Sequence, residues 1–395
     1  MDTSELLEVL SADGLRLLDS LPPYESTADV VRMVSDLRGA GHSPGRVAAV
    51  LSQAKLRARA AKKFGSFAER MLFTESGLEQ ATRLSVAALH AGRFQRAGLT
   101  RVADLGCGIG ADALALAALD LEVTAVERDE VTAAIAAYNL APWKNATVVN
   151  ADATTVDLAD VDGVFLDPAR RTDGHTNTSR LSDPANWSPS LDFAFRIGEE
   201  HPTGVKLGPG IDRDLIPEEA EAQWISVDRE VVEVGVWFGA VARPGIRRSA
   251  LVIGDHGTAE LSAGADSEDV ATGTLGEYVF EPDGAVIRAR LIGDLARGIG
   301  ASMLSPGIAY LTAEQDAPTP FARSFRVVDT FPFDERLLKK ELAARRIGSL
   351  EIKKRGVDVD PAQLRKKLAL KGTNSGTLIV TRVAGRHTAL LVERP

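Results

Sequence analysis

The stretch RVADLGCGIGADALALA, residues 101–117, decides the fold of the central part of this 395-residue chain. An apolar run ends in three glycines at alternate positions, Gly106, Gly108 and Gly110, and an alanine-rich helix is predicted to begin at Ala111. Glycine permits a tight turn and a close backbone approach to a ligand that a Cβ atom would keep away. The N-terminal amides of the following helix would face that ligand. The pattern therefore predicts a nucleotide-binding turn.

The spacing of the glycines narrows the choice of nucleotide. Dinucleotide sites carry G-x-G-x-x-G, whereas this chain has G-x-G-x-G preceded by Asp104. The spacing disfavours an NAD-dependent oxidoreductase. A cofactor-binding titration decides whether NAD is bound.

Strands are predicted to alternate with helices downstream of the turn. The strand candidates are RVADLG, LEVTAVE, ATVVNAD, GVFLDP, TGVKLG, QWISVDREVVEVGVWFG and RSALVIG. Short apolar strands separated by helices predict an α/β fold, with a parallel sheet covered by helices on both faces. The last two candidates have no helix between them, so we expect an antiparallel hairpin at the end of the sheet.

Polar residues stand at the ends of the second and third strands. Glu127 follows Gly110 by seventeen positions, where a carboxylate can accept both ribose hydroxyls. Asp152 ends the third strand and suits an adenine amino group, and Ala153 follows with its backbone amide. Taken singly, Asp104 could cap a turn and Glu127 could be a solvated charge.

The ordered series DLGCGIGAD, VTAVERD, VVNADA and VFLDPARR resembles the successive motifs of class I S-adenosylmethionine (SAM) dependent methyltransferases. The resemblance covers roughly residues 70–255 and implies a Rossmann-like, seven-stranded sheet with SAM as the cofactor. Phe73 and Thr74, just upstream, resemble an aromatic-Thr element that nucleic-acid methyltransferases place over the cofactor. Their alternative reading is a hydrophobic staple and a helix N-cap.

The fourth strand end, VFLDPARRTDGH, is the candidate acceptor site. Amino-methyltransferases of nucleic acid bases place Asp or Asn, two prolines and an aromatic residue here, and oxygens accept from the exocyclic amine. This chain keeps Asp167 and Pro168 but has Ala169 and Arg170 in the next two positions. The predicted catalytic residues are Asp167, Pro168 and Arg170. Arg170 or Arg171 could stack on a base or hold a phosphate.

Two other methyl acceptors would each depend on a single residue of the chain. Methylation of pyrimidine carbon-5 needs a cysteine nucleophile, and the one cysteine, Cys107, lies in the glycine turn. A 2′-hydroxyl acceptor would need a lysine base, for which Lys206 is placed at the fifth strand end, but the favoured interpretation is that Lys206 only pairs with a local carboxylate. His175 reads as a solvated loop residue. No spacing of His, Asp or Glu predicts a metal site.

The C-terminal part of the chain differs in charge from the rest. The formal net charge of the whole chain is −9, yet residues 324–395 contain sixteen Lys and Arg against eight Asp and Glu. Such clustering suits phosphate backbones, although charge runs on helices are often only solvated faces. The predicted RNA-binding residues are Lys339, Lys340, Arg345, Arg346, Lys353, Lys354, Arg355, Arg365, Lys366 and Lys367.

The overall layout resembles bacterial class I methyltransferases that carry a C-terminal THUMP-like domain, and this resemblance implies an RNA substrate. We predict a helical N-terminal domain (1–95), a SAM-binding domain (96–255), a linker or accessory segment (256–323) and a basic THUMP-like α+β domain (324–395). The C-terminal segment is predicted to run strand, helix, strand, helix, strand, strand, with Asp334 and Asp360 as N-caps.

The sequence thus predicts a SAM-dependent methyltransferase that methylates a base nitrogen of tRNA or rRNA. The alternatives are a methyltransferase of a protein or small molecule, and a non-catalytic RNA-binding or assembly factor that retains SAM. An acidic N-terminus and the lack of a run of ~18 apolar residues predict a cytoplasmic protein that binds no membrane. The sequence leaves the oligomeric state open.

Overall fold

The computed structural model describes residues 1–22, 27–170, 187–255 and 257–395, and the side chains of these residues except at 27–29 and 169–170. Its contacts divide the chain into two units. The first unit consists of Met1–Leu207 and Val236–Ala242, and the second of Gly208–Gly235 and Arg243–Pro395. The first unit joins the predicted helical and SAM-binding segments, which the sequence analysis had separated near residue 95.

The N-terminal part of the first unit is helical, as the sequence predicts. The helices are α1 Thr3–Leu10, α2 Ala12–Ser20, α3 Thr27–Gly39, α4 Pro44–Phe64, α5 Glu75–Gln80 and α6 Leu84–Arg96, with a 3₁₀ turn at Gly65–Arg70. Capping residues mark where these helices begin. Asp2 forms a capping box with Glu5 at the start of α1, and Ser43 caps α4 just before Pro44. Apolar residues of α1, α4 and α6 enter one hydrophobic core with the strands that follow, and this shared core joins the two segments.

Five parallel strands form the sheet of the first unit, which confirms the predicted α/β pattern. These strands are β1 Arg101–Leu105, β2 Glu122–Glu127, β3 Ala146–Asn150, β4 Gly163–Leu166 and, after the short β5 Ala169–Arg170 and β6 Trp187–Ser188, β7 Thr203–Leu207. The helices between them are α7 Ala111–Ala118, α8 Glu130–Leu140 and α9 Leu191–Glu200. β1 lies between β2 and β4, β3 pairs with β2, and β7 pairs with β4, all in parallel. The carboxyl ends of these strands therefore share one edge.

The sheet that contains these five strands has more strands than the seven expected. Further strands are β8 Glu221–Val227, β9 Glu230–Phe238, β10 Arg248–Gly254 and β11 Gly257–Ala263. Among the described residues the strand order is β11-β10-β8-β9-β7-β4-β1-β2-β3. β10 runs parallel to β8 and pairs antiparallel with β11. The antiparallel hairpin expected between the last two strand candidates is therefore wrong. β10 instead forms a hairpin with β11, because residues 257–263, which fall in the predicted linker or accessory segment, alternate in exposure as an edge strand.

A second, seven-stranded sheet occupies the second unit. Its strands are β12 Tyr278–Pro282, β13 Ser302–Ser305, β14 Ile308–Ala313, β15 Ala322–Pro332, β16 Ile347–Lys354, β17 Asn374–Val383 and β18 Arg386–Glu393, in the order β13-β14-β12-β15-β18-β17-β16. The helices of this unit are α10 Gly284–Arg288, α11 Ile292–Gly298, α12 Glu335–Ala344 and α13 Pro361–Leu368. The C-terminal element order and the caps Asp334 and Asp360 are as predicted. The predicted linker contributes β12, β13 and β14 to the same sheet.

Alternating residues of β17 and β18 pack on opposite faces of this second sheet. Leu378 and Val380 join a core with α12 and α13, whereas Ile379 and Leu390 join a core with Phe325 on the other face. The two helices are thereby fixed to one face by their apolar sides. None of the helices in the described ranges is long and apolar enough to cross a membrane.

Candidate active site

The glycine turn has the backbone conformation that its sequence predicts. Gly106, Gly108 and Gly110 have φ values of 86°, 55° and 85°, in the left-handed region that favours glycine. The N–H groups of Gly106 and Cys107 donate to the carbonyl of Val126, 2.9 and 3.0 Å away. These bonds tie the turn to the end of β2 and leave its outer side facing a cleft.

The cleft lies at the carboxyl edge of β1 to β4 and encloses about 830 Å³ of atom-free space, part of it open to solvent. Six of the predicted site residues line it: Gly106, Gly108, Glu127, Asp152, Ala153 and Asp167. Gly110 is not in the lining, because it begins α7 and packs towards the side chain of Leu140.

Glu127 is held at the cleft by two backbone amides. Its Oε2 accepts from the N–H of Gly108 at 3.1 Å, and its Oε1 accepts from the N–H of Asp129 at 2.8 Å. An ionised carboxylate has about four acceptor sites, so two are left for other donors. Glu127 can therefore accept hydrogen bonds from a vicinal diol without losing its own support.

Asp152 is fixed in a similar way at the end of β3. Its Oδ1 accepts from the hydroxyl of Thr154 at 2.7 Å and from the N–H of Thr154 at 2.8 Å. The side-chain hydrogen bond, and after it the backbone bond, lower the pKa of the Asp152 carboxyl. The carboxylate is thus an oriented acceptor beside the amide of Ala153.

Asp104 lies behind the turn and does not itself line the cleft. Its side chain is 1% exposed, and no described residue offers either carboxyl oxygen a hydrogen bond of ordinary geometry. Burial, followed by the negative charges of Asp112 and Asp167, raises the pKa of Asp104 well above its usual value.

Asp167, at the end of β4, forms an ion pair with Lys206 of β7. Lys206 is nearly buried, and its Nζ also donates to Thr82 Oγ1 at 3.0 Å and to the carbonyl of Gln80 at 3.3 Å. Three acceptors thus match the three N–H donors of the ammonium group. This arrangement corresponds to the alternative weighed for Lys206, pairing with a local carboxylate, because a general base would need a lone pair directed at the substrate.

A chain of polar side chains continues from Lys206 into the core. The hydroxyl of Thr82 donates to Asp112 Oδ2 at 2.6 Å, and His90 Nδ1 lies 2.9 Å from Asp112 Oδ1. A carboxylate only accepts, so His90 carries its proton on Nδ1. Burial opposes ionisation of Asp112, but the hydrogen bond and charge of His90, with Lys206 and Thr82, lower its pKa overall.

This chain of polar side chains was not predicted from the sequence. Asp112 could have been noticed, since it directly follows the glycine turn in DLGCGIGAD. Thr82 and His90 carry no such signal, because a single polar residue in a helical pattern is ordinarily solvent-facing.

Phe73 and Thr74 lie outside the cleft lining. Phe73 is fully buried, packs 5.6 Å from the ring of Phe64 and exchanges two backbone hydrogen bonds with the amide of Gln53. Thr74 caps α5 by accepting from the N–H of Gly77 at 2.9 Å. Thr74 thus corresponds to the N-cap alternative, and the helix that it caps brings Gly77 and the segment 80–82 to the cleft wall.

The geometry fits a nucleoside carrying a positive charge. Glu127 suits a ribose diol, Asp152 suits an exocyclic amine, and the turn amides lie between them. The unsatisfied carboxyl of Asp104 and the neighbouring carboxylates favour a cation near the turn. The described residues include no group of three or more His, Cys, Asp or Glu that could hold a metal ion.

Comparison with known proteins agrees with this geometry. Residues 322–394 match the model of a THUMP domain-like family, and residues 2–60 match that of a domain of unknown function. Two proteins of Mycobacterium tuberculosis, from strains CDC 1551 and H37Rv, are each 34% identical over 352 residues, covering 86% of this chain and 95% of the relative. Each is named an uncharacterised S-adenosylmethionine-dependent methyltransferase.

The chain belongs to the SAM-dependent methyltransferases. The fold agrees: a crystal structure described as a methyltransferase from Porphyromonas gingivalis W83 superposes with a TM-score of 0.74 at 22% identity, covering 100% of this chain and 99% of that one. The predictions of a class I methyltransferase fold, of a THUMP-like C-terminal domain and of SAM as cofactor are confirmed.

The methyltransferase presents one of its three predicted catalytic residues to the cleft. Asp167 lines it, whereas Pro168 is buried behind it. The backbone of Arg170 pairs with Trp187 in the short β5–β6 ribbon, and its side chain lies outside the described residues, as do Arg171 and His175. Ser188 and Pro189 join the lining and were not predicted.

The basic side chains of the methyltransferase's THUMP-like domain divide into two groups. Arg345, Lys353 and Lys367 are ion-paired, with Glu341, Glu281 and Glu335 at 2.7–2.8 Å. Arg355 lies over the ring of Tyr310 at 5.4 Å, and Arg365 donates to a backbone carbonyl. The remaining predicted residues are exposed, with no carboxylate of the described chain within 4.0 Å: Lys339, Lys340, Arg346, Lys354 and Lys366.

Proposed function

We propose that this methyltransferase modifies a base nitrogen of a cytoplasmic RNA, a tRNA or an rRNA. The observation that carries the proposal is the set of exposed, unpaired basic side chains in the THUMP-like region of an otherwise acidic chain. THUMP-like domains accompany RNA-modifying enzymes in the families that this chain resembles. A positive surface of this kind suits phosphate contacts that are independent of base sequence.

The positions of these cations follow from helix periodicity. Leu338 and Leu342 bury one side of α12, so the adjacent Lys339 and Lys340 point away from the sheet. Leu364 and Leu368 do the same for α13 and leave Lys366 exposed. We infer that the exposed sides of α12 and α13 form the RNA-contacting surface, and that ion-paired residues such as Lys367 contribute less.

At the cleft, the cofactor supplies a methyl group already activated by the positive sulfur. The residues of the chain then have to orient the acceptor nitrogen and exclude water. The Asp167 carboxylate would accept a hydrogen bond from an N–H of the exocyclic amine and so direct its lone pair towards the methyl group. The ion pair with Lys206 holds Asp167 in place. The proton lost by the amine would pass to Asp167, which is 30% exposed, and then to solvent.

Transfer of tritium from methyl-labelled SAM tests this proposal. RNA from a strain lacking the gene should accept the label, whereas wild-type RNA should accept little because its sites are already methylated. Asp167→Asn should bind SAM normally and lose at least about 100-fold of the transfer rate, as expected for a positioned acid–base group. Equal incorporation into the two RNA samples would contradict an RNA substrate and would favour a protein or small molecule as acceptor.

A further inference from the structure

The carboxyl group of Asp104 is a buried acid that neither the fold nor the proposed methyl transfer uses. It lies in β1 two residues before Gly106, is 1% exposed, and neither carboxyl oxygen has a hydrogen bond of ordinary geometry within the described chain, although the backbone amide of Ala113 faces the carboxyl group and acts to lower its pKa. Buried polar groups are nearly always hydrogen-bonded, so this exception requires an explanation.

The charged groups around Asp104 do not neutralise it. Asp112 on α7 and Asp167 after β4 are both negative, and each has its own partner. His90 bonds Asp112, and Lys206, the cation that faces Asp104, is already paired with Asp167. Cys107 in the turn is a buried thiol, and burial and the charge of Asp104 raise its pKa. Among the described residues, three carboxyl groups thus lie near one paired ammonium group and one histidine.

An ionised carboxylate in such a place would be strongly destabilised. Desolvation of a charge without a partner costs several kcal/mol, and the group ordinarily takes up a proton instead. Burial thus favours the neutral form of the Asp104 carboxyl in the absence of a compensating cation and raises its pKa.

We propose that Asp104 carries a proton while the cofactor site is empty and loses it to solvent when SAM binds, so that the site recognises the charge of the sulfonium. SAM and its product S-adenosylhomocysteine share the adenosine and the amino-acid groups and differ in one methyl group and its positive charge. Glu127 and Asp152 therefore cannot distinguish them by that charge, whereas a buried carboxyl behind the turn can. Asp104 does not need to touch the sulfonium, because charge interactions through the low-dielectric protein interior extend over several ångströms.

The consequence is a preference for the charged cofactor that is lost once the methyl group has been transferred. With SAM bound, the sulfonium replaces the proton of Asp104 as the compensating positive charge. After methyl transfer the sulfur is neutral, Asp104 takes up a proton again, and the product has lost the interaction that favoured the substrate. Asp104 is thus a specificity residue for the cofactor, and this inference stands whether or not RNA is the acceptor.

Titration calorimetry tests the proposal without any acceptor. Binding of SAM and of S-adenosylhomocysteine is measured in two buffers of different ionisation enthalpy, between about pH 5 and pH 8, to count the protons released. We expect SAM to release about one proton where the empty site is protonated, and the product to release none. The affinity for SAM relative to the product should rise by about tenfold per pH unit in that range. Sinefungin, with an ammonium group in place of the sulfonium, should behave as SAM does.

Two variants separate the charge of Asp104 from the rest of the site. Asp104→Asn mimics the neutral acid, so we expect SAM to bind about tenfold or more weakly, the product to bind within about twofold, and the proton release to vanish. Glu127→Gln should weaken SAM and the product by the same factor, since both carry the ribose. Should Asp104→Asn fail to fold, the carboxyl ¹³C shift of Asp104 in the wild-type protein reports its protonation directly.

The proposal is overturned if SAM and the product release the same number of protons at every pH. It is equally overturned if the carboxyl of Asp104 proves to be ionised in the empty protein.

Discussion

The ammonium group of Lys206 and the carboxylate of Asp167 form an ion pair between the ends of two neighbouring strands of the sheet. Lys206 is nearly buried, whereas Asp167 reaches the cleft. The same ammonium bonds Gln80 and Thr82, in the turn after α5. A single buried cation therefore links the candidate acceptor residue to the wall of the cofactor cleft.

Removing this cation should weaken both the fold and the site. Lys206→Met removes the ion-pair partner of Asp167 and the ammonium donor to Thr82, and we expect the free energy of unfolding to fall by roughly 2 kcal/mol. Chemical unfolding monitored by circular dichroism measures the change. The matched control is Lys367→Met, which breaks the exposed pair with Glu335 and should cost less than about 1 kcal/mol. Similar losses of unfolding free energy in the two variants would contradict a larger contribution from the buried ion pair of Lys206 than from an exposed one.

The wall of the cleft and the core behind it should respond differently to substitution. A Cβ atom at Gly77 would lie 2.5 Å from Ile109 Cγ2 and 2.6 Å from Thr74 Oγ1, so Gly77→Ala must displace the wall and should raise the Kd for SAM at least about fivefold. Phe73→Leu should lower the free energy of unfolding by about 1–2 kcal/mol and leave the Kd within about twofold. Calorimetry and unfolding of both variants test the contrast. A large rise in Kd for Phe73→Leu, in a folded protein, would instead assign Phe73 to the cofactor.

The pH dependence of stability should carry the signature of Asp104. Its folded-state pKa is raised, so between the ordinary value of ~3.9 and that raised value the folded chain holds one more proton than the unfolded chain. Stability contributed by this proton is full below the unfolded pKa and is lost as the pH rises, by about 1.4 kcal/mol per pH unit. Asp104→Asn should remove that slope. Unfolding of both proteins across this range measures the difference, and parallel curves would show that Asp104 is ionised throughout.

The proposed RNA surface predicts a difference between paired and unpaired lysines. The double variant Lys340→Glu and Lys366→Glu should weaken RNA binding at low salt and reduce the slope of log affinity against log salt by about 2, since each phosphate contact contributes roughly one counterion. Lys367→Gln, whose cation already contacts Glu335, should change the slope by less than about half a unit. Gel shifts at increasing salt decide this. Equal slopes for the double variant and the wild type would remove α12 and α13 from the interface.

Local chemistry explains why much of the site could be predicted. The glycine turn, Glu127 and Asp152 depend on strand ends and on residues close in sequence, so the order of motifs is enough to bring them to one edge. The caps Asp334 and Asp360 are local in the same sense.

Packing over long sequence distances explains what was missed. Two of the acceptors of Lys206, Gln80 and Thr82, lie more than a hundred positions away in the chain. No spacing in the sequence indicates Thr82 as a partner of Lys206 or His90 as a partner of Asp112. Phe73 has the residue type of the aromatic element that lies over the cofactor in other methyltransferases. Hydrogen bonds between its backbone and the side-chain amide of Gln53 instead hold it in the core. The segment that forms β12 to β14 was predicted to be a linker because it is rich in glycine and proline. The pairing of β12 with Ala322–Pro332 is not visible in the local sequence.

The most direct test of the account is comparative mass spectrometry of nucleosides from tRNA and rRNA of strains with and without the gene. We predict that one N-methylated nucleoside disappears without the gene, returns with the wild-type enzyme and does not return with Asp167→Asn. An identical set of methylated nucleosides in the two strains would contradict the claim that this methyltransferase acts on RNA.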